Sequence, residues 1–552
     1  MKSFFCLLLL QCLASVVSAR LHRFRGMEIG HIDPETEHLS RRSKPFNGWG
    51  TFDQLLNHSD PHLGTFKQRY WYGTEFWKGP GSPIIVVSPG EQSAEGFNQS
   101  FFSTKRLSGV FAEKLGGAVI LLEHRYWGES SPFDTLTVKN LQHLTLENSI
   151  HDLSYFAKNF VLPFDPSGRS SPANAPWVFS GGSYSGALAA WLATLDPGTY
   201  WAYHGSSAVV QALEDFWTYF APIMEATPQN CSADLQAVIA HVDDILGSGT
   251  PQEKIELKAK FKLNGLTDAD FASALEWGPW TWQENQFSSV NTRGFSPYHR
   301  FCDYIENAYL PSNGTIAKTL PGPKGVGLDK ALDGYARWMI NSMLPGFCEF
   351  YSPDAFSGKL NTDCLQLQNA SNPIYTDLTV GSSGNRQWNW MLCNEPFEWW
   401  QAASPSDVVP TLTSRLVTPS YWRAQCALWF PPENDDDGGV NTTTYTYSIS
   451  QGKRAADVNA YTGGWFTTNT TRVMHTNGEL DPWREATLSA RGRPGGPVTG
   501  SSEEGVSVRL VKGGMHCSDM YAQNWEANEE VKRLMEEEVE EMKRWVGEFY
   551  QD

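Results

Sequence analysis

Ser183, Asp481 and His516 are a hydroxyl, a carboxylate and an imidazole in the chain order that acyl transfer uses in one large class of hydrolases. Ser183 lies in Gly181-Gly182-Ser183-Tyr184-Ser185-Gly186, between a short apolar run and an Ala-rich stretch. A serine on a sharp strand-to-helix turn presents its hydroxyl, and only small neighbours let the backbone fold that tightly. The usual pattern is Gly-x-Ser-x-Gly. Gly181 fits it, Ser185 stands where the second glycine belongs, and Gly186 follows. Ser185 is the alternative nucleophile, without a glycine two residues after it.

A serine hydroxyl is a weak nucleophile until a base takes its proton, and the base needs an acid to orient it. Asn477-Gly478-Glu479-Leu480-Asp481-Pro482-Trp483 and Gly513-Gly514-Met515-His516 each follow a strand-like run. Asp481 is the expected acid, Glu479 its rival, and His516 the expected base. Alone, Asp481 reads as a cap before Pro482 and His516 as a surface histidine; the ordered set of three carries the reading. Two backbone N–H groups must bind the developing oxyanion. Tyr184 offers one, and Gly90-Glu91, after an early strand, the other.

The elements around these residues alternate. Residues 83–88, 118–123, 177–180, 472–476 and 506–511 are short apolar or β-branched runs, suited to strands buried on both faces. Helical patterns at 148–160 and 184–195 separate them. The expectation is an α/β class chain with an α/β-hydrolase fold. Between about 216 and 445 the strand runs thin out and helical stretches appear, at 231–246, 252–261 and 414–430. This reads as a large, mostly helical cap domain inserted between the nucleophile and the acid. The catalytic domain is then 46–215 with 446–552, closed by an amphipathic helix over 528–549.

The first residues read as a processing signal. Lys2 precedes a short apolar core, and Val17-Ser18-Ala19 ends it, so 1–19 is expected to be cleaved. Residues 20–45, polar and basic, form a leader or propeptide. Seven Asn-x-Ser/Thr sequons, at Asn57, Asn98, Asn230, Asn313, Asn369, Asn441 and Asn469, agree with the secretory route. Seven cysteines remain beyond the signal, so up to three disulfides leave a thiol, and Cys517 is the expected one. A formal charge of −18 argues against nucleic acid as a partner and suits work in acid. No later run is long and apolar enough to span a membrane. No Cys-x-x-Cys pair, phosphate-binding Gly loop or dinucleotide fingerprint occurs, and Asp435-Asp436-Asp437 lacks the spacing of a calcium loop, so neither cofactor nor metal is expected.

Several longer stretches resemble one family. They are Arg69-Tyr70-Trp71, Ser88-Pro89-Gly90-Glu91, Glu123-His124-Arg125-Tyr126-Trp127-Gly128, Gly181 to Gly186, Leu392-Cys393-Asn394-Glu395-Pro396, Asn477 to Trp483 and Gly513 to Asp519. Together they resemble the prolyl carboxypeptidase and dipeptidyl-peptidase II family of serine peptidases, its secreted fungal proline-specific endopeptidase branch above all. The resemblance implies an α/β hydrolase with a helical cap, the triad Ser183, Asp481 and His516, and cleavage on the carboxyl side of proline, or also alanine, in acid. The partners it implies are proline-containing peptides, and the setting is extracellular or an acidic vacuolar or lysosomal compartment.

A proline pocket should be aromatic and poor in charge. Trp483, two residues from Asp481, and one or two of Trp388, Trp390, Trp399 and Trp400 are expected to line it, Trp390 foremost. Glu395 and Glu91 are expected to face the cleft, where a buried carboxyl protonated only in acid would gate activity. The open alternatives are an exopeptidase of the same family, a secreted lipase or esterase, and a binding protein on a hydrolase fold.

Overall fold

The computed structural model describes residues 48–310, 315–316, 319–382, 384–406, 409–434, 443–501 and 505–551. The expected signal, the leader, the aspartates at 435–437, Asn313 and Asn441 lie outside them, as do the side chains of Asn98 and Asn469.

Nine strands form one sheet. In chain order they are β1 (Gly48–Leu55), β2 (Thr65–Gly73), β3 (Ile84–Val87), β4 (Ala118–Leu122), β5 (Trp177–Gly182), β6 (Ala202–Ser206), β7 (Val473–Gly478), β8 (Gly500–Ser501) and β9 (Val506–Val511). Across the sheet they run β1-β2-β4-β3-β5-β6-β7-β9-β8. The neighbours from β4 through β9 pair in parallel, while β1, β2 and β8 join antiparallel at the edges. This is the α/β-hydrolase order, with β3 and β4 exchanged in space so that β5 lies in the middle.

The strand residues explain their positions. β3 and β4 are apolar throughout and fully buried, because helices cover both faces of the sheet. On one face lie α1 (Leu107–Leu115) and the C-terminal α8 (Glu529–Phe549). On the other lie α2 (Leu146–Asn159) and α3 (Tyr184–Leu195). Asn528 caps α8 by accepting from Glu530 N–H and Val531 N–H, and Val531, Leu534, Met542 and Trp545 bury one stripe of it. Thr145 caps α2 in the same way through Asn148 N–H.

Between β6 and β7 the chain is mostly helical. It carries α4 (Gln229–Ser248), α5 (Pro297–Ile305), α6 (Arg386–Asn394) and α7 (Pro419–Trp429), with further helices between them, Pro251–Lys260 and Leu328–Trp338 among them. The chain fixes this cap internally with three disulfides, Cys231–Cys302, Cys348–Cys364 and Cys393–Cys426. Cys517, on the sheet side, is the free thiol, fully buried. The cap's apolar residues run without a break into the core on the α2/α3 face of the sheet, so cap and sheet share one hydrophobic interior.

Sequence reading missed β1, β2, β6 and β8. β2 (TFKQRYWYG) and β6 (AYHGS) have no continuous apolar run. They become strands through pairing with neighbours, which a local pattern does not record.

Candidate active site

Ser183 joins the end of β5 to the start of α3, at φ 57° and ψ −126°. A non-glycine residue there is strained, and the surroundings must hold it. They do so at both flanks. Ser183 N–H donates to Ser206 O on β6 at 2.9 Å, and Ser183 O accepts from Ala187 N–H in α3 at 2.9 Å. A Cβ on Gly181 would meet Ser185 O at 2.3 Å, and one on Gly186 would meet Ser206 O at 2.8 Å, so both positions need glycine for close backbone approach. Ser185, the alternative nucleophile, is buried with its hydroxyl against Gly181.

The loops after β7 and β9 bring Asp481 and His516 together. His516 Nδ1 lies 3.0 Å from each Asp481 carboxylate oxygen, and both side chains are buried. Asp481 also accepts Trp483 N–H at 2.9 Å. With Nδ1–H committed to the carboxylate, Nε2 is the imidazole's basic atom. Glu479, the rival acid, points elsewhere: its carboxylate accepts Gly513 N–H at 2.8 Å and bonds no imidazole.

The loop after β3 approaches the same turn. A Cβ on Gly90 would contact Ser185 Cβ at 3.7 Å and Tyr184 Cδ1 at 3.8 Å. Gly90 N–H donates to Ser88 Oγ at 3.3 Å, so of the Gly90-Glu91 pair Glu91 is the better-suited donor toward a substrate. Two scaffolds fix this loop. Arg69 pairs with Glu123 through two 2.8 Å bonds, and Glu123 accepts Ala94 N–H at 2.9 Å. From the cap, Asn385 donates to Glu91 O at 3.4 Å and accepts from Trp127 Nε1 at 3.2 Å. His124 sits beneath, its pKa lowered to about 4 by burial. It is therefore neutral near pH 7: Nδ1–H donates to Arg125 O at 2.8 Å, and Nε2 accepts from the Tyr184 hydroxyl at 3.1 Å.

A cavity of about 250 Å³ opens from Trp483 into the helical region between β6 and β7. Its lining does not include Ser183 or His516. It begins at Trp483, whose ring centroid is 6.3 Å from that of His516, and extends past Trp388, Trp399 and Trp400 toward Trp280 and Trp422. Trp399 packs edge-on against Trp483 at 5.7 Å and stacks on Trp388 at 6.0 Å. No Lys, Arg or His of the described residues lines it, whereas Asp270 and Glu284 do.

Two sequence expectations are corrected here. Trp390 is fully buried away from the cavity, donating from Nε1 to Leu144 O at 2.9 Å and packing on Phe430. On α6 the face that carries Trp388 meets the cavity, and Trp390, two residues on, is turned through more than half the helix circumference from it. Glu395 also lies off the cavity lining: burial raises its carboxyl pKa, and its Oε1 accepts from Asn394 Nδ2 at 2.8 Å.

Sequence reading missed one cap segment that grips the loops after both β7 and β9. Trp282 Nε1 donates to Leu480 O at 2.7 Å, and Gln283 Oε1 accepts from Trp483 Nε1 at 2.9 Å and from the Tyr219 hydroxyl at 2.8 Å. Gln286 Nε2 donates to His516 O at 2.7 Å, while its Oε1 accepts from Asn524 Nδ2 at 2.7 Å. Isolated glutamines in a helical region give no sequence signal of such a role.

The family model described as serine carboxypeptidase S28 matches residues 54–318 and 350–536. The chain is 40% identical over 514 residues to the serine protease vicPb of Bipolaris victoriae (strain FI3), spanning 93% of this chain and 91% of that protein. It is 28% identical to the "Probable extracellular serine carboxypeptidase" of Arthroderma benhamiae, over 88% of this chain and 65% of that one. It is 23% identical to the lysosomal Pro-X carboxypeptidase of Pongo abelii, over 90% and 88% respectively.

Proposed function

Since the chain belongs to the serine carboxypeptidase S28 family and is a serine peptidase, we propose that it is an endopeptidase cleaving on the carboxyl side of proline in acid, outside the cytosol. The observations that carry this reading are the buried Asp481–His516 pair on the loops after β7 and β9 and a serine held on a strained elbow at the end of β5.

Ser183 Oγ attacks the carbonyl carbon of the prolyl residue while His516 Nε2 takes its proton. Asp481 holds the imidazolium through Nδ1–H. The N–H groups of Tyr184 and Glu91 bind the oxyanion. Collapse expels the amine with the proton from His516, leaving an acyl ester on Ser183, and water repeats the sequence to release the acid. Trp483, with Trp399 and Trp388 behind it, supplies the apolar aromatic surface that suits a pyrrolidine ring.

Three features support the finer points. Proline preference rests on the motif resemblance and on the name of the Pro-X carboxypeptidase relative. The extracellular or lysosomal setting rests on the names of two relatives and on the sequons at Asn57, Asn230 and Asn369, while no helix of the described residues is long and apolar enough to cross a membrane. The endopeptidase mode is favoured over a carboxypeptidase because, among the described residues, no cation lines the cavity to hold a terminal carboxylate. Its two carboxylates favour a second reading, capture of a free N-terminal ammonium as in a dipeptidyl peptidase.

The test is a long proline-containing peptide blocked at both ends, given to the protein and to Ser183→Ala in mildly acidic buffer, with products mapped by mass spectrometry. Internal cuts after proline, lost in the variant, are expected. Cleavage only of peptides with a free N-terminus moves the reading to the dipeptidyl mode, and loss of C-terminal residues alone moves it to a carboxypeptidase. Cleavage that persists in Ser183→Ala removes Ser183 as nucleophile.

A further inference from the structure

Under the active-site turn, on the α1/α8 side of the sheet, three side chains from distant parts of the chain converge. His204 comes from β6, Asp519 from the turn after His516, and Glu538 from α8. His204 and Glu538 are 0% exposed and Asp519 1%. His204 Nε2 is 3.5 Å from Asp519 Oδ2 and 3.9 Å from Glu538 Oε1, and one ligand atom from each residue lies within 4.8 Å of the other two.

Each residue of this cluster has one satisfied polar atom and one without a partner. Ser180 Oγ bonds His204 Nδ1 at 2.9 Å, Ser206 Oγ donates to Asp519 Oδ1 at 2.6 Å, and the Thr476 hydroxyl donates to Glu538 Oε1. His204 Nε2, Asp519 Oδ2 and Glu538 Oε2 have no hydrogen-bond partner among the described residues. No lysine or arginine of those residues forms an ion pair with Asp519 or Glu538; Arg509, the guanidinium that acts on Glu538, is bonded to Glu541 at 2.5 Å. Two buried carboxylates facing an imidazole nitrogen with nothing bound between them would be costly.

We propose that His204, Asp519 and Glu538 form a structural site for a divalent first-row transition ion, Zn2+ in the first instance. The separations fit. The 3.5 Å and 3.9 Å gaps are too long for direct hydrogen bonds, whereas Zn–N and Zn–O bonds of about 2.1 Å at tetrahedral angles place ligand atoms about 3.4 Å apart. The charges fit as well, since a dication neutralises two carboxylates beside a neutral imidazole. The donor set excludes the alternatives: Ca2+ needs six or more oxygens and Mg2+ keeps several waters, while one imidazole with two carboxylates suits zinc. Ser180, Ser206 and Thr476 orient the three ligands, as outer partners do in metal centres. The ion would clamp α8 and the His516 loop to β6 without touching substrate. No local motif encodes this site, which is why sequence reading expects no metal.

The test is elemental analysis of the full-length secreted protein, purified without affinity metal and exchanged into metal-free buffer. About one equivalent of zinc or another first-row ion per chain is expected, falling at least about fivefold in His204→Asn and in Glu538→Gln. Unfolding and refolding the wild-type protein in chelator should lower its Tm, and Zn2+ added during refolding should restore it. Folded wild-type protein holding less than about a tenth of an equivalent, with a Tm indifferent to chelator and to Zn2+ on refolding, overturns the site and leaves the cluster held by shared protons. An equivalent of metal that survives unchanged in folded His204→Asn also overturns it. The wild-type measurements decide even where a variant fails to fold, and none of them depends on which peptide the enzyme cleaves.

Discussion

Asp481 is 0% exposed and its charge is countered locally by His516 Nδ1–H and Trp483 N–H. That arrangement makes it an orienting group that fixes which imidazole nitrogen carries the proton. Replacing it with asparagine keeps the shape but donates an amide N–H toward Nδ1, reversing the tautomer. Asp481→Asn is therefore expected to lower kcat about 10⁴-fold with KM little changed, read from initial rates on a proline peptide. Glu479→Gln, which alters the contact to Gly513 N–H and the attraction to Arg491, should cost far less, and an equal loss from the two would remove Asp481 from the role. Glu395 is a separate case. Its carboxyl is raised by burial but lies off the cavity, so Glu395→Gln should leave the pH profile of kcat/KM where it was.

At the scale of elements, the decisive contact is between the cap and the two catalytic loops. Strands β7 and β9 end in parallel, which brings the loops carrying Asp481 and His516 side by side. The strands alone do not fix the loops' conformations. The segment from Trp282 to Gln286 does so with hydrogen bonds to Leu480 O, Trp483 Nε1 and His516 O. Removing one such bond beside a buried group costs about 1–1.5 kcal/mol, which in a loop that carries the base should appear in turnover. Gln286→Ala is expected to lower kcat about tenfold and to leave KM within about twofold. An effect confined to KM would make Gln286 part of a binding surface instead. The Cys393–Cys426 disulfide ties α6 to α7, holding Trp388 and Trp429 around the cavity independently of the sheet.

Over the whole molecule, buried carboxyls set the pH dependence of stability. Burial raises Asp243, Asp270, Glu276, Glu284 and Glu395 above their ordinary values, and burial with the Asp234 carboxylate pushes Glu306 up to about 7. Each folded pKa then exceeds the unfolded one, so the native state holds more protons. The stability these groups allow is complete below their unfolded pKa and is lost as pH rises through the folded value, for Glu306 between 4.5 and about 7. Buried His124 and His475, lowered from 6.5 to about 4, and His143 and His299, also lowered by burial, act in the opposite sense as pH falls through that window. The raised carboxyls outnumber these four histidines, so Tm should be higher near about pH 5 than near about pH 8. Glu306→Gln should flatten the decline in scanning calorimetry. A Tm that rises with pH would show that the carboxyls do not dominate.

The sequence by itself determined the parallel part of the sheet, β6 excepted, and the local geometry of the nucleophile. Continuous β-branched runs at β3 and β4 have one stable use, a strand covered on both faces, and the Gly181–Gly186 turn admits only small residues for reasons that are local. The order of Ser183, Asp481 and His516 was legible because each lies just past such a strand. Polar or short strands such as β2 and β6 were not, since pairing rather than composition makes them strands. The face that Trp390 presents, the grip of Gln283 and Gln286 on the catalytic loops, and the meeting of His204, Asp519 and Glu538 were decided only by the tertiary structure. Each depends on elements separated by tens to hundreds of residues, whose relative rotation is set by packing, and a one-residue change of register turns a side chain to another face.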